Sequence, residues 1–351
     1  MRTVKADIAI AGAGIAGLWL ANLLVNRGFD VAVCESGKVG GRQTMASQGL
    51  IHGGVKYALG GVATGAFDAV SGMPNRWRAC LEGKGEIDLQ GVGVTSDCYY
   101  LWSHDELRAR LAGFLASRLL RGRVARLAPA EYPGTFAGQA GTMYRLNDFV
   151  IDVAGLVRRL AAPLTDRILP MAIQPEGFVM EQRTVAAFEN ANIRVEADRF
   201  ILAAGAGNES LAAAAGAPTR MQRRPLKQVL VRSTEPEPIF AHCVSDLRTE
   251  PALTVTTLPE YHYLGGALAS DGVNRSDAEQ VEAARMELQR ALPWIDWSNR
   301  TFETLSIDRA EPDGPRLEGA FVESHENVLV TWPGKLTLAP DLGDRVLRAL
   351  A

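Results

Sequence analysis

The chain has 351 residues, 47% of them hydrophobic and 22% charged, with a formal net charge of −3, the profile of a globular protein large enough for two lobes. The near-balanced charge offers no electrostatic reason to expect a nucleic-acid partner, and no run of about 18 or more apolar residues offers a membrane span, although a peripheral membrane contact or an oligomer stays open. Cys34, Cys80, Cys98 and Cys243 stand far apart with no C-x-x-C pair, which argues against a zinc site, a redox dithiol and a disulfide framework.

The chain opens with a short apolar run, Asp7 to Ala11, that reads as a strand. Gly12, Gly14 and Gly17 follow at G-x-G-x-x-G spacing where that strand must turn into a helix. Gly12 permits the turn, Gly14 lets a pyrophosphate approach the backbone, and Gly17 lets the helix sit close to the sheet, with the helix N–H groups facing the phosphates. Gly28 caps the helix, Val31 to Cys34 form the next strand, and Glu35 closes it. An acid there accepts hydrogen bonds from both ribose hydroxyls and repels a 2′-phosphate, so the motif predicts a dinucleotide other than an NADP type. No secretory h-region with a cleavage site is visible, which predicts a cytoplasmic protein; no metal is expected, since the cysteines are scattered.

From Ser36 to Gly54 the chain is rich in glycine and small polar residues, composition suited to wrapping the second half of a long cofactor; a mobile surface loop is the alternative. Trp77 to Leu101 alternates irregularly and predicts short strands, and Glu106 to Leu120 has helical spacing. The basic run Arg118 to Arg126 alternates like a solvated helix end. Asp148 onwards predicts a strand and then a helix over Val153 to Leu160, and Arg183 to Val195 a strand-turn-strand. Arg199 to Gly207, RFILAAGAG, reads as a buried strand running into a small-residue turn, then a helix over Glu209 to Ala215. Strands are predicted at Gln228 to Arg232, within Leu253 to Gly266 and at Asn327 to Thr331. Asp277 to Leu292 reads as an amphipathic helix and Leu342 to Leu350 as a closing one.

Together GAGIAG at 12 to 17, ESGKVGGRQTMASQGLIHGG at 35 to 54, LAAGAG at 202 to 207, and IDRAEPDGPRLEG through WPGKLTLAPDLGDRVL at 307 to 347 resemble the flavoprotein family of glycine oxidase, D-amino-acid oxidase, sarcosine oxidase and the FAD-dependent glycerol-3-phosphate dehydrogenases. The resemblance spans nearly the whole chain. It implies an α/β protein with a Rossmann-like FAD lobe assembled from residues 1–75, 146–215 and 306–351. An α+β substrate lobe would be built from 76–145 and 216–305. It also implies FAD lying by Gly12, Ala13, Gly14, Ile15, Ala16, Gly17, Glu35 and Ser36, with pyrophosphate by Arg42, Gln43 and Thr44. Ala204 and Gly205 pass close to it, and the isoalloxazine sits between Ala46, Ser47, Gln48, Gly49, Leu50 and the turn Gly334, Lys335, Leu336, Thr337.

In such proteins the cofactor does the chemistry and protein groups orient the substrate. The resemblance puts Arg309 where relatives clamp a substrate carboxylate, a task suited to a bidentate donor. Asp308 would alternatively neutralise it. Lys335 would face the pyrimidine edge of the flavin and stabilise charge there, or be a solvated turn residue. His52 would act as base toward a hydroxyl, attach the flavin covalently, or be structural. On their strand Tyr261 and Tyr263 share a face, which is either directed at the flavin or simply packed as half-buried strand residues. The chain is therefore expected to oxidise a small amine or amino acid, with oxygen or a quinone as acceptor. A 2-hydroxy-acid or polyol-phosphate dehydrogenase is the alternative, ahead of a flavin monooxygenase or a non-catalytic FAD-holding subunit.

Overall fold

In the computed structural model, residues 1–55, 69–103, 124–244, 250–315 and 317–351 are described. The helix predicted over Glu106 to Leu120, most of the basic run after it and most of the glycine-rich stretch around residue 60 lie outside them.

The chain begins β1 (Arg2–Ala11), α1 (Ile15–Asn26), β2 (Val31–Glu35), β3 (Leu50–Ile51), α2 (Met73–Leu81), β4 (Val94–Ser96) and β5 (Tyr99–Ser103). There follow β6 (Val124–Arg126), β7 (Thr142–Leu146), β8 (Phe149–Ile151), α3 (Val153–Ala161), β9 (Ile168–Pro170), β10 (Phe178–Glu181), β11 (Thr184–Glu189) and β12 (Ile193–Leu202). Then come α4 (Asn208–Ala214), β13 (Met221–Arg232), β14 (Phe240–Val244), β15 (Leu253–Leu258), β16 (Tyr261–Gly265), α5 (Ala267–Asp271) and α6 (Asp277–Ala291). The chain closes with β17 (Thr301–Pro312), β18 (Phe321–His325), β19 (Val328–Trp332) and α7 (Ala339–Leu350).

Strands β19, β12, β1, β2 and β9 lie parallel in that order, which makes the first lobe a doubly wound sheet. The near-continuous apolar runs in β1 and β2 are what burial on both faces demands. Helix α1 is buried along ten of its residues, from Ile15 to Leu24, and packs beside α7 and α3 against one face. The second lobe is an eight-stranded sheet in the order β17-β13-β16-β15-β14-β5-β7-β6, antiparallel except where β14 meets β5. Helices α5 and α6 cover one of its faces through contacts with β13 and β17. A small third sheet, β3-β8-β4, joins the end of the 36–54 segment to two later strands. The α/β class and the two-sheet plan agree with the reading of the sequence.

Two elements differ from expectation. Residues 73–81, partly read as irregular strand, form α2 because Met73, Trp77 and Cys80 recur at helical spacing and Pro74 sits in the first turn. Strand β17, by contrast, gave no clear strand signal, because residues on both of its faces are partly exposed and its alternation is blurred. It pairs with β13 over its full length, from Thr301↔Arg232 to Met221↔Pro312. The lobe edges drawn at 76 and 306 thus fall inside α2 and β17.

Candidate active site

The glycine turn after β1 is built by exclusion of side chains. Gly12 has φ of +100°, and a Cβ on it would stand 2.7 Å from the Ala203 carbonyl at the end of β12. On Gly17 a Cβ would fall 1.8 Å from the Gly12 carbonyl, so only glycine lets α1 start this close to the turn. Glu35 is fixed by the same loop. Its Oε2 accepts from Ala13 N at 2.7 Å and its Oε1 from Gly37 N at 2.8 Å, which leaves Oε2 a further lone pair for a ribose hydroxyl. Ser36 stands beside it at the surface, and its hydroxyl lies 3.4 Å from Glu35 Oε1. Thr44 is buried and takes the Ile15 N–H at 3.0 Å, which ties the wrapping segment to the first turn of α1. Gly14 lies under it, and Ala16 is buried in the same turn.

The second small-residue turn is held from behind. Ala203 N donates to Ala11 O at 2.8 Å, joining the ends of β12 and β1. Buried Asn208 accepts from Ala204 N at 2.7 Å and donates to Thr331 O at 2.9 Å, while Trp332 Nε1 donates to Gly205 O at 3.1 Å. Neither Asn208 nor Trp332 stood out in the sequence. Their signal was their place beside the two short turns, which matters only once β12 and β19 are neighbours.

The wrapping segment then crosses to the second sheet. Arg42 takes φ of +55° at the surface, and Gln43 Oε1 accepts from Ala310 N at 3.2 Å. Ala46 O accepts from the Tyr263 hydroxyl at 2.7 Å, and the Gln48 side chain bonds Tyr263 O and the Thr256 hydroxyl, each at 3.3 Å. Ser47 Oγ accepts from Gly49 N at 3.1 Å. Gly49, at φ of +73°, abuts Ile151 O, and Leu50 enters β3 beside Val150. Next, His52 meets the C-terminal turn. Its N–H donates to Thr337 Oγ1 at 3.2 Å and its carbonyl accepts from that hydroxyl at 3.3 Å. Gly53 N donates to Asp148 Oδ1 at 2.8 Å. The structure therefore brings the 46–54 segment against Gly334 to Thr337, where Gly334 has φ of +68° and Lys335 and Leu336 are half-buried.

The sheet face toward this segment is polar. Tyr263 pairs with Leu230, and Gln228 lies two residues along β13, so both share one face. The Tyr263 oxygen is 2.7 Å from Ala46 O and 2.7 Å from the Gln228 amide. A phenol has one proton, so both contacts are satisfied when Tyr263 donates to Ala46 and accepts from the Gln228 NH2 group. Burial pushes the Tyr263 phenol well up, which keeps that proton in place at neutral pH. Gly265 makes room, since a Cβ there would stand 2.8 Å from the Gln48 amide nitrogen.

Tyr261 shares the face but lies at the strand end, where its ring stacks edge-on to Tyr263 at 6.2 Å and sits under Arg232. The hydroxyl that reaches the wrapping segment is that of Tyr263. Arg309 is half-buried on the same face of β17, directly opposite Arg224, whose Nε lies 2.7 Å from Glu311. Asp308 points to the other face and pairs with Arg223 at 2.9 Å; alternation along the strand turns its carboxylate away from Arg309.

The opposite face of the sheet is dry. Val229, Val231, Val255 and Leu264 are buried there with Leu288 of α6 in one apolar cluster. Among its polar residues is His262, fully buried, with Nδ1 at 3.0 Å from Thr257 Oγ1 and Nε2 at 3.1 Å from Arg300. Burial, reinforced by Arg300, pushes its pKa down to about 4, so it is neutral at pH 7. Trp102, Phe136 and Trp294 also pack on this side, and a shallow groove of about 800 Å³ lined by Met286, Trp294 and Trp297 opens there, away from Tyr263 and Arg309. All four cysteines are buried free thiols, and among the described residues no cluster of His, Cys, Asp or Glu could hold a metal. Nor is any described helix long and apolar enough to cross a membrane.

A family model described as "FAD dependent oxidoreductase" (DAO) matches residues 7–330. The chain is 43% identical over 362 residues to the probable FAD-dependent oxidoreductase PA4991 of Pseudomonas aeruginosa, covering 99% of this chain and 92% of that protein. The crystal structure of that protein superposes with a TM-score of 0.85 over 100% of this chain and 91% of the other, at 38% identity. Glycine oxidase from Geobacillus kaustophilus shares the fold at a TM-score of 0.69 and 17% identity, over 98% of this chain and 94% of its own. The FAD-bound L-alpha-glycerophosphate oxidase from Mycoplasma pneumoniae does so at 0.68 and 14%, over 99% and 95%. The glycine cradle and the doubly bonded Glu35 fit the adenosine and pyrophosphate of FAD, and with the match over residues 7–330 the chain belongs to the DAO family of FAD-dependent oxidoreductases.

Proposed function

We propose that the protein oxidises the C–H bond beside the nitrogen of a small amine or amino acid. The observation that carries this reading is that Arg309 and Tyr263 share one face of the second sheet, and that Tyr263 holds Ala46 of the segment beside the expected flavin ring. When bound, FAD supplies the hydride acceptor at N5; the substrate leaves as an imine, which water hydrolyses. Arg309 takes the substrate carboxylate as a bidentate donor and so fixes which C–H bond faces the ring. Asp308 is engaged by Arg223, which favours this role over an Asp308–Arg309 ion pair. Lys335 lies in the turn beside the pyrimidine edge and stabilises negative charge there. His52 is buried with its main chain tied to Thr337, which favours a structural role over that of a base toward a hydroxyl. The 12–17, 35–36, 42–50 and 204–205 segments hold the cofactor, and oxygen or a quinone accepts its electrons. Tyr261 lines the outer rim of the same face.

Anaerobic mixing of the holoenzyme with amino acids, simple amines, 2-hydroxy acids and glycerol phosphate tests this reading. Bleaching of the flavin band by amines is expected. Bleaching by the hydroxy compounds alone would transfer the protein to the alcohol-oxidising members of the family, and bleaching by neither class would remove both assignments.

A further inference from the structure

Four aliphatic side chains on the site face stand outside the apolar cores that the described residues form. Leu226 pairs with Ile307 and Leu305 with Gln228, while Leu230 lies two residues beyond Gln228; strand alternation puts all four on the face of Tyr263 and Arg309. Each is half-buried. None belongs to the three apolar cores formed by the described residues, although Val229 and Val231, their neighbours on the opposite face, are fully buried in one. The strip runs from Arg309 at one end to Tyr263 at the other, so it is continuous with the candidate site. Helices α5 and α6 cover the other face of the sheet.

We infer that the site takes a carboxylate substrate bearing an apolar chain of about four to six carbons, which lies along Leu226 and Ile307, the aliphatic pair next along the sheet from Arg309, while Arg309 holds the carboxylate. This rests on the amino-acid reading above and narrows it. A glycine-sized substrate would leave the strip wet, and a polar side chain would lose its water there without a hydrogen bond in return.

Titration of the oxidised holoenzyme with acetate, butyrate and hexanoate, followed by calorimetry, tests the strip without turnover. Full burial of one CH2 tightens binding about fourfold and half-burial about twofold, so hexanoate is expected to bind about 15-fold more tightly than acetate. The double variant Leu226→Asn, Ile307→Asn should erase that gain and spare acetate. Leu226→Trp, which fills the strip, should weaken hexanoate alone. Equal affinities across the series, no detectable hexanoate binding, or a gain that survives both variants would overturn the inference. The amine reading fails separately: the acid series then holds while no amine bleaches the flavin. If glycine and leucine bleach it with equal KM, the inference falls and the amine reading stands.

Discussion

The two ends of the proposed cofactor site are built on different principles. At the adenosine end the backbone does the holding, and the side chains that matter are mostly absent ones: Gly12 and Gly17 leave no room for a Cβ, and Glu35 is positioned by two main-chain N–H groups. At the end proposed for the flavin the holding is done by side chains from distant strands, with Tyr263, backed by Gln228, and Thr256 reaching residues 46–48. A backbone site is fixed by local sequence and admits no side chain at Gly12 or Gly17. A side-chain site depends on tertiary register, and each of its members can be changed at modest cost.

This contrast is open to direct attack. The largest effect should come from Gly17→Ala: a methyl at 1.8 Å from Gly12 O forces α1 off the turn, costing about 3 kcal/mol or more and yielding a protein purified without flavin. A holoprotein of unchanged melting temperature would show that the turn can give.

The far face of the second sheet should respond to acid instead. His262 is neutral in the fold and charged in the unfolded chain below pH 6.5, so its contribution is intact above that pH. It is lost as the pH falls from 6.5 toward about 4, a change of about 3 kcal/mol. Denaturant melts at pH 7 and pH 4.5 should show a steeper acid loss for the native protein than for His262→Gln, with the same flavin spectrum in both at pH 7. Parallel acid loss in the two would assign it to other groups.

Glu35→Gln removes the charge that two N–H groups share and that we propose the ribose engages, and should weaken FAD by about 2 kcal/mol, read as flavin lost on dialysis with little change in the apoprotein's melting temperature. Tyr263→Phe is the mildest. It should cost about 1 kcal/mol of stability and leave full FAD occupancy, but shift the flavin absorption maximum because Ala46 is no longer pinned. An unshifted spectrum would detach Tyr263 from the ring.

The same contrast explains what was legible in the sequence. Gly12, Gly14, Gly17 and Glu35 act through spacing along one stretch of chain, so their meaning survives without a fold. Ala204 and Gly205 were visible for the same reason, whereas Asn208 and Trp332, which hold that turn from behind, became meaningful only when β19 lay beside β12. Tyr261 and Tyr263 were both visible as an alternating pair, but which of them reaches the wrapping segment depends on where β16 ends and on where Gln48 enters beside Gly265. Strand β17 hid for a physical reason: with both faces partly exposed, its apolar alternation is weak, and its identity comes from twelve consecutive pairings with β13.

That strand also limits how the molecule can move. At one end β17 is an edge of the second sheet, and at the other Ala310 is buried in the apolar core of the first lobe and bonded to Gln43. Twelve extended residues make a splint about 40 Å long, without a break at which one lobe could swing from the other. A swing of one lobe against the other would have to bend this strand, so we expect hinge opening to be small. The protein's radius of gyration in solution should be the same with and without a bound acid.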